Sequence, residues 1–342
     1  MAVHKYTDGL SADLKVELVR IAKEIGGGND RGVLAMDEDN EGFGKLLSAQ
    51  GLENNSENRR AYRKSIFETE GIEKYVSAVI LFDETVYQNM DDGTPIPQFL
   101  ASKGILPGIK VDLGTVILQG TTETVAQGLD NLVARAKKYR ADGCRFAKFR
   151  APIEIGDNKP SALAVQANAE ALARYATACQ QAGIVPIVEP DIVRNGSHDI
   201  DVCQRATEAV LSKVVRTLSE HHVYLEGIVL KPNLVTAGES ASRATPKAVA
   251  EETLRTFRRV VPAAVPTIAF LSGGLSEDDA TAYLNAVNQK KGDATWRLTF
   301  SYGRALQVSA WKAFGKNKDG KAAQAAFLKR VIANSNASRG QA

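Results

Sequence analysis

The feature that most narrows what this chain can fold into is a series of eight short apolar runs, each closed by a polar residue and most followed by a helical pattern. The runs are 32–36, ending at Asp37; 78–82, ending at Asp83; 105–111, which contains Lys110; and 145–150, which contains Lys148 and Arg150. They continue with 184–188, ending at Glu189; 227–230, ending at Lys231; 267–271, ending at Ser272; and 297–300, ending at Ser301. Helical patterns occupy 122–140, 161–181, 201–221 and 246–260. Near-continuous apolar strands separated by helices indicate a parallel sheet buried on both faces. Eight such units, with near-equal spacing of Glu189, Lys231 and Ser272, fit an α/β fold closed as a single (β/α)8 TIM barrel. An open doubly wound sheet is the alternative that pattern alone leaves standing.

Ahead of the first run, 11–25 reads as an extra N-terminal helix, with Leu14, Leu18, Ile21 and Ile25 on one side and Ser11 as its cap. Gly26, Gly27 and Gly28 stop it, and the helix is expected to pack outside the barrel. No linker divides the chain, so residues 1–333 read as one barrel domain. The polar, small-residue stretch 334–342 reads as a short frayed tail.

Composition excludes several function classes. The 342 residues are 44% hydrophobic and 24% charged, ordinary for a globular protein. The 43 basic and 40 acidic residues leave a net charge of +3, which argues against a nucleic-acid surface but leaves room for a local phosphate pocket. Cys144, Cys179 and Cys203 are few and scattered, as expected of reduced thiols in a cytoplasmic protein. No stretch approaches the ~20 apolar residues of a membrane span. His4, His198, His221 and His222 form no metal triad, so neither metal nor cofactor is expected. The basic cluster Arg59, Arg60, Arg63 and Lys64 reads as a solvated or subunit-contact face.

In a barrel of this kind, function collects where strands end. The strand ends here bring together Asp37, Lys110, Lys148, Arg150, Glu189, Lys231 and Ser272, with Arg304 close behind the eighth run. Taken alone, Lys231 could be a surface lysine that snorkels to water. Among the other strand-end charges it reads as a buried amine whose pKa is lowered by burial and by Lys148, freeing it to attack a carbonyl. Glu189 and Asp37 can move the protons that iminium formation and carbon–carbon cleavage require, although salt bridges to barrel lysines would also account for them. Ser272, Gly273 and Gly274, with Gly303 and Arg304, stand where barrels commonly hold phosphate; tight turns would also use these glycines.

The motifs Leu34-Ala35-Met36-Asp37-Glu38, Gly108-Ile109-Lys110-Val111-Asp112, Phe146-Ala147-Lys148-Phe149-Arg150 and Val185-Pro186-Ile187-Val188-Glu189-Pro190 resemble class I fructose-1,6-bisphosphate aldolase. So do Leu230-Lys231-Pro232-Asn233, Phe270-Leu271-Ser272-Gly273-Gly274 and Thr299-Phe300-Ser301-Tyr302-Gly303-Arg304, and the likeness runs in order from about residue 10 to 335. The resemblance implies cleavage of fructose 1,6-bisphosphate to dihydroxyacetone phosphate and glyceraldehyde 3-phosphate. It implies Lys231 as the Schiff-base lysine, Glu189 as acid and base for dehydration, Asp37 as the base at the breaking bond and Lys148 as their support. Ser272, Gly273, Gly303 and Arg304 would hold the 1-phosphate, and Lys110 and Arg150 the other end. A phosphorylated-sugar substrate and a homo-oligomer, commonly a tetramer, follow from the same likeness, with no nucleic-acid or membrane partner.

Three departures stand out. Gly42 occupies the place of a phosphate-contacting hydroxyl and Leu46 that of an arginine, with Asp39 and Glu41 adding negative charge nearby. Asp191 replaces a glutamate, and the chain closes at Ala342 without the longer tail and terminal tyrosine of many relatives. The expectation is a shifted or relaxed aldehyde-side preference, such as for sedoheptulose 1,7-bisphosphate or fructose 1-phosphate, and a slower protonation of the enamine. A non-catalytic, partner-binding barrel is the more distant alternative.

Overall fold

The computed structural model describes residues 9–28 and 30–342. In chain order its elements are α1 (Ala12–Ile25), β1 (Gly32–Met36), α2 (Asn40–Ala49), α3 (Ser56–Phe67), β2 (Val76–Leu81), α4 (Asp83–Val86), α5 (Ile96–Ser102) and β3 (Leu106–Lys110). They continue with β4 (Thr115–Ile117), β5 (Thr124–Ala126), α6 (Leu132–Ala141), β6 (Phe146–Ile153), α7 (Ala162–Gln181), β7 (Val185–Ile192), α8 (Ile200–Glu220) and β8 (Val229–Leu230). The last are α9 (Pro246–Val260), β9 (Thr267–Phe270), α10 (Glu277–Lys290), β10 (Arg297–Tyr302), α11 (Arg304–Phe314) and α12 (Gly320–Ala337). Eight parallel strands close in the order β1-β10-β9-β8-β7-β6-β3-β2, which settles the barrel against the open sheet.

Side chains on a strand alternate between faces, and this alternation separates two apolar layers. Leu34, Met36, Ile109, Phe149, Val188 and Leu230 point outward into the layer shared with the helices. Val33, Ala35, Ala78, Ile80, Phe146, Val185, Ile187, Val229 and Ala269 fill the barrel interior. The interior is tight: a Cβ on Gly108 would lie 2.3 Å from the Phe146 ring.

Helix α1 does more than lie outside. Ser11 caps it by accepting from the Leu14 N–H at 3.3 Å. Its Leu18, Ile21, Ala22 and Ile25 are fully buried and join the interior layer, so the helix plugs the end of the barrel where strands begin. Ser77 Oγ and Thr267 Oγ1 donate to its Ile25 and Ala22 carbonyls at 2.6 and 2.9 Å, fastening the plug to β2 and β9.

Two expected segments differ. Over the helix expected at 122–140, residues 124–126 form β5, the second strand of an antiparallel hairpin with β4, and the helix starts only at Leu132. Gly128 at φ 116° and Asn131 at φ 53° break the helical path between them. The tail is not frayed, and 333/334 is not a boundary: α12 runs through it to Ala337. Asn334, Ser335, Ala337 and Ser338 are all buried. Their small size lets the helix approach closely, and the side chains of Asn334 and Ser338 find partners. Thr281 Oγ1 donates to Asn334 Oδ1 at 3.2 Å, and the Ala342 N–H donates to Asn285 Oδ1 at 2.9 Å.

Candidate active site

The inward rows of the barrel carry the site. Continued past the apolar interior toward the strand ends, they read Val33, Ala35, Asp37 on β1; Gly108, Lys110, Asp112 on β3; and Phe146, Lys148, Arg150 on β6. The rows on β7, β8 and β10 read Val185, Ile187, Glu189, Asp191; Val229, Lys231; and Thr299, Ser301, Gly303. A period of two therefore places apolar groups at the plugged end and polar groups at the open end of the same face. All ten residues expected from sequence (Asp37, Lys110, Lys148, Arg150, Glu189, Lys231, Ser272, Gly273, Gly303 and Arg304) line one cavity of about 400 Å³ at that mouth. A larger cavity, about 680 Å³, lies at the other end, but no lysine lines it. Its two acids, Glu24 and Asp142, are paired with Arg20 and Lys138.

Lys231 and Glu189 are each 4% exposed, and Lys231 Nζ lies 3.3 Å from Glu189 Oε1. Pro232 follows directly, and β8 ends after two residues. The Lys231 N–H still reaches the Val188 carbonyl of β7 at 2.8 Å, fixing the backbone that bears the amine. Lys148 sits at the centre of three carboxylates: Asp37 at 2.8 Å, Asp112 at 3.4 Å and Glu189 at 3.6 Å. Burial alone would discharge this ammonium, but Asp112, Asp37 and Glu189 raise its pKa above the ordinary lysine value. Burial likewise opposes the Asp37 charge, yet Lys148 and then Lys231 overcome it and hold that carboxyl at about 2. Lys148 is thus a firm cation that keeps Asp37 a firm anion, rather than the bare neighbouring ammonium the sequence suggests.

On the adjoining wall Arg150 Nε donates to Asp191 Oδ2 at 2.7 Å, so the shorter acid still reaches the guanidinium. Lys110 pairs with Asp112 at 3.6 Å. Across the cavity, Gly303 caps α11 and Arg304 opens it, so unpaired backbone N–H groups and a guanidinium share one corner with Ser272 and Gly273. Gly273 and Gly274 both take left-handed φ values, 50° and 81°, as the turn after β9 requires. Such a corner has the chemistry to hold a phosphate dianion.

Sequence reasoning gave no role to Asp112, Glu38 or Ser301. Asp112 and Ser301 were legible, being two positions beyond Lys110 and Thr299 on inward rows. Glu38 has one oxygen buried without a partner, and its carboxyl is pushed up to about 7 by burial and then by the Asp37 charge. The basic cluster is also not a solvated face throughout. Arg63 is fully buried and Arg59 is 7% exposed, because both turn inward to Glu84 beside the strand ends. Arg60 and Lys64 remain nearer the surface, paired with Asp91. Among the described residues no group of three or more His, Cys, Asp or Glu side chains is arranged to hold a metal ion. His4 lies outside the described residues.

Comparison with known proteins agrees with this geometry. The family described as "Fructose-bisphosphate aldolase class-I" matches residues 17–342. Fructose-bisphosphate aldolase 6, cytosolic, of Arabidopsis thaliana is 53% identical over 326 residues, covering 95% of this chain and 91% of its own length. Fructose-bisphosphate aldolase of Drosophila melanogaster is 50% identical over 334 residues, covering 97% and 92%. A solved structure of the Plasmodium falciparum aldolase, in complex with TRAP and a small-molecule inhibitor, superposes with a TM-score of 0.95. It is 43% identical and covers 98% of this chain and 99% of its own. The chain therefore belongs to the class I fructose-bisphosphate aldolase family, enzymes that cleave fructose 1,6-bisphosphate through a lysine Schiff base.

Proposed function

We propose that Lys231 forms the Schiff base, Glu189 moves the protons of its formation, and Asp37 acts at the bond that breaks. The observation that carries this is the buried Lys231–Glu189 pair at 3.3 Å, with Lys148 bridging Glu189 to Asp37. Glu189 takes a proton from the Lys231 ammonium, and the freed amine attacks the C2 carbonyl. Glu189 returns the proton to the departing C2 hydroxyl, water leaves, and a protonated iminium remains. Asp37 then removes the proton of the C4 hydroxyl. The C3–C4 bond breaks, its electron pair moves into the iminium to form an enamine, and the aldehyde departs. The proton taken up by Asp37 passes through solvent to C3 of the enamine, and water adds to the resulting iminium, releasing dihydroxyacetone phosphate and regenerating Lys231 and the Asp37 carboxylate. Ser272, Gly273, Gly303 and Arg304 hold the phosphate on the ketone side, which leaves Lys110 and Arg150 for the aldehyde side.

The rim beside Asp37 favours a second reading of substrate preference. Asp39, Gly42 and Leu46 line the cavity there. Asp39 accepts from the Gly42 N–H at 2.7 Å, Gly42 offers no side chain, and half-buried Leu46 packs against the outer apolar layer, lining a small cavity with Phe43, Tyr62 and Trp311. Asp39, Gly42 and Leu46 thus add no cation or hydroxyl to Lys110 and Arg150 for a second phosphate, so the aldehyde-side preference is relaxed. Exposed Leu113 and Ile117 (65% and 70%) on and before the β4–β5 hairpin support a homo-oligomer, and the cytosolic relatives support a cytoplasmic location.

Step-resolved variants test the roles. Lys231→Met is expected to abolish both cleavage and trapping of dihydroxyacetone phosphate by borohydride. Glu189→Gln should slow trapping, and Asp37→Asn should slow cleavage while leaving trapping intact. Asp37→Asn losing both in proportion would overturn the division of labour. Turnover of fructose 1,6-bisphosphate against fructose 1-phosphate and sedoheptulose 1,7-bisphosphate tests the rim; a strict preference for fructose 1,6-bisphosphate would contradict the relaxed reading.

A further inference from the structure

We infer that Arg63 is a positioning residue for Asp37, clamping the backbone just beyond the end of β1 so that the carboxylate meets the reacting hydroxyl at a fixed angle. The inference rests on Asp37 acting at the bond that breaks.

Asp37 stands between two anchored residues. On its N-terminal side, Met36 is the last residue of the β1–β2 ladder, paired with Leu81. On its C-terminal side, the Glu38 carbonyl accepts from Arg63 Nη2 at 2.7 Å. Arg63 does not touch Asp37 itself; it fixes the peptide that follows. Its own position is set from several directions. Nη1 donates to Thr85 Oγ1 at 2.9 Å and lies 3.6 Å from Glu84, both on α4 at the end of β2. The guanidinium carbon sits 4.7 Å from the centre of the Phe43 ring on α2. Glu84 is held in turn by Arg59, one turn earlier on α3, whose Nε donates to it at 2.8 Å.

One guanidinium thus joins α2, α3, α4 and the strand-end turn that bears the proposed base. A side chain needed only to fill this space would be apolar, because burying a charge in full costs more than packing a methionine there. Two donors fixed in one plane, Nη1 on Thr85 and Nη2 on the Glu38 carbonyl, make a rigid clamp, and lysine has no such planar fork.

The test separates two chemical steps. Schiff-base formation uses Lys231 and Glu189, whereas cleavage also needs Asp37. Arg63→Met is expected to lower kcat for fructose 1,6-bisphosphate cleavage by about 10- to 100-fold, the scale of an ångström-level misplacement. KM should stay within about twofold, and borohydride trapping of dihydroxyacetone phosphate at Lys231 should keep the wild-type rate. Thr85→Val removes one acceptor of Arg63 without stranding a charge and covers the case of an unfolded Arg63→Met; a loss of about fivefold, confined to cleavage, is expected. Trapping and cleavage falling together in the folded variants would reduce Arg63 to a structural residue and overturn the inference. Cleavage at the wild-type rate with normal trapping would sink it alone, whereas a wild-type protein that is not trapped at Lys231 would sink the parent reading with it.

Discussion

Replacing Glu38 by glutamine should make the folded protein more stable at neutral pH and change nothing in mild acid. Glu38 Oε2 is buried without a hydrogen-bond partner, and the neighbouring Asp37 is held ionised by Lys148. Burial first, and that negative charge second, lift the Glu38 carboxyl from 4.5 to about 7. A carboxyl raised on folding binds its proton more tightly in the native state than in the unfolded chain. Its contribution is therefore level below pH 4.5 and becomes increasingly unfavourable as pH rises toward 7, above which the full cost is present. The gap between 4.5 and about 7, at ~1.36 kcal/mol per pH unit, corresponds to roughly 3 kcal/mol. Glutamine has nearly the same shape and no charge to desolvate. Urea unfolding of wild type and Glu38→Gln at pH 5, 6, 7 and 8 isolates the effect, because all other titrating groups cancel in the difference. The variant should gain on the wild type steadily from pH 5 to 7 and then hold its lead. A difference that stays constant across the range would refute the buried, charge-opposed carboxyl.

Other consequences follow from the same geometry. Lys148→Met leaves Asp37, Asp112 and Glu189 without their shared cation, and kcat should fall by about 10²- to 10³-fold, measured by aldehyde release; a loss under tenfold would contradict the central place given to Lys148. Arg304→Ala removes a charged contact worth ~1.5–3 kcal/mol, so KM for fructose 1,6-bisphosphate should rise by roughly 10- to 100-fold; an unchanged KM would move the ketone-side phosphate elsewhere. Ending the chain at residue 333 strips α12 of Asn334, Ser335 and Ala337 and removes Ser338, and should cost at least about 2 kcal/mol in urea unfolding. A shortened chain as stable as the whole would restore the frayed-tail reading.

The barrel was legible because its strands are buried on both faces and stand out as apolar runs between amphipathic helices. Helix α9 has the bounds its pattern suggests, and Ser11 caps α1 as read, because in both cases local chemistry and burial agree. The lining of the candidate site was legible for a related reason: a charged residue continuing an inward apolar row has little else to do than face the mouth. What failed to show was whatever depends on three-dimensional company. Residues 122–131 carry helix-compatible side chains, yet 124–126 pair as a strand with 115–117, and Gly128 and Asn131 at positive φ bend the chain before the helix starts. Arg63 looks like any surface arginine until the end of β1 is placed against α3. Residues 334–338 look like a tail because small polar side chains are common in tails. They are equally suited to a helix that must approach its neighbours closely while satisfying its hydrogen bonds.

The most direct test of the account is to locate the covalent intermediate. Incubation with dihydroxyacetone phosphate, reduction with borohydride and peptide mass spectrometry should find one adduct, on Lys231, and none in Lys231→Met. An adduct on Lys148 or another lysine, or no adduct while the substrate is shown to bind, would contradict the assignment of Lys231 as the amine that carries the chemistry.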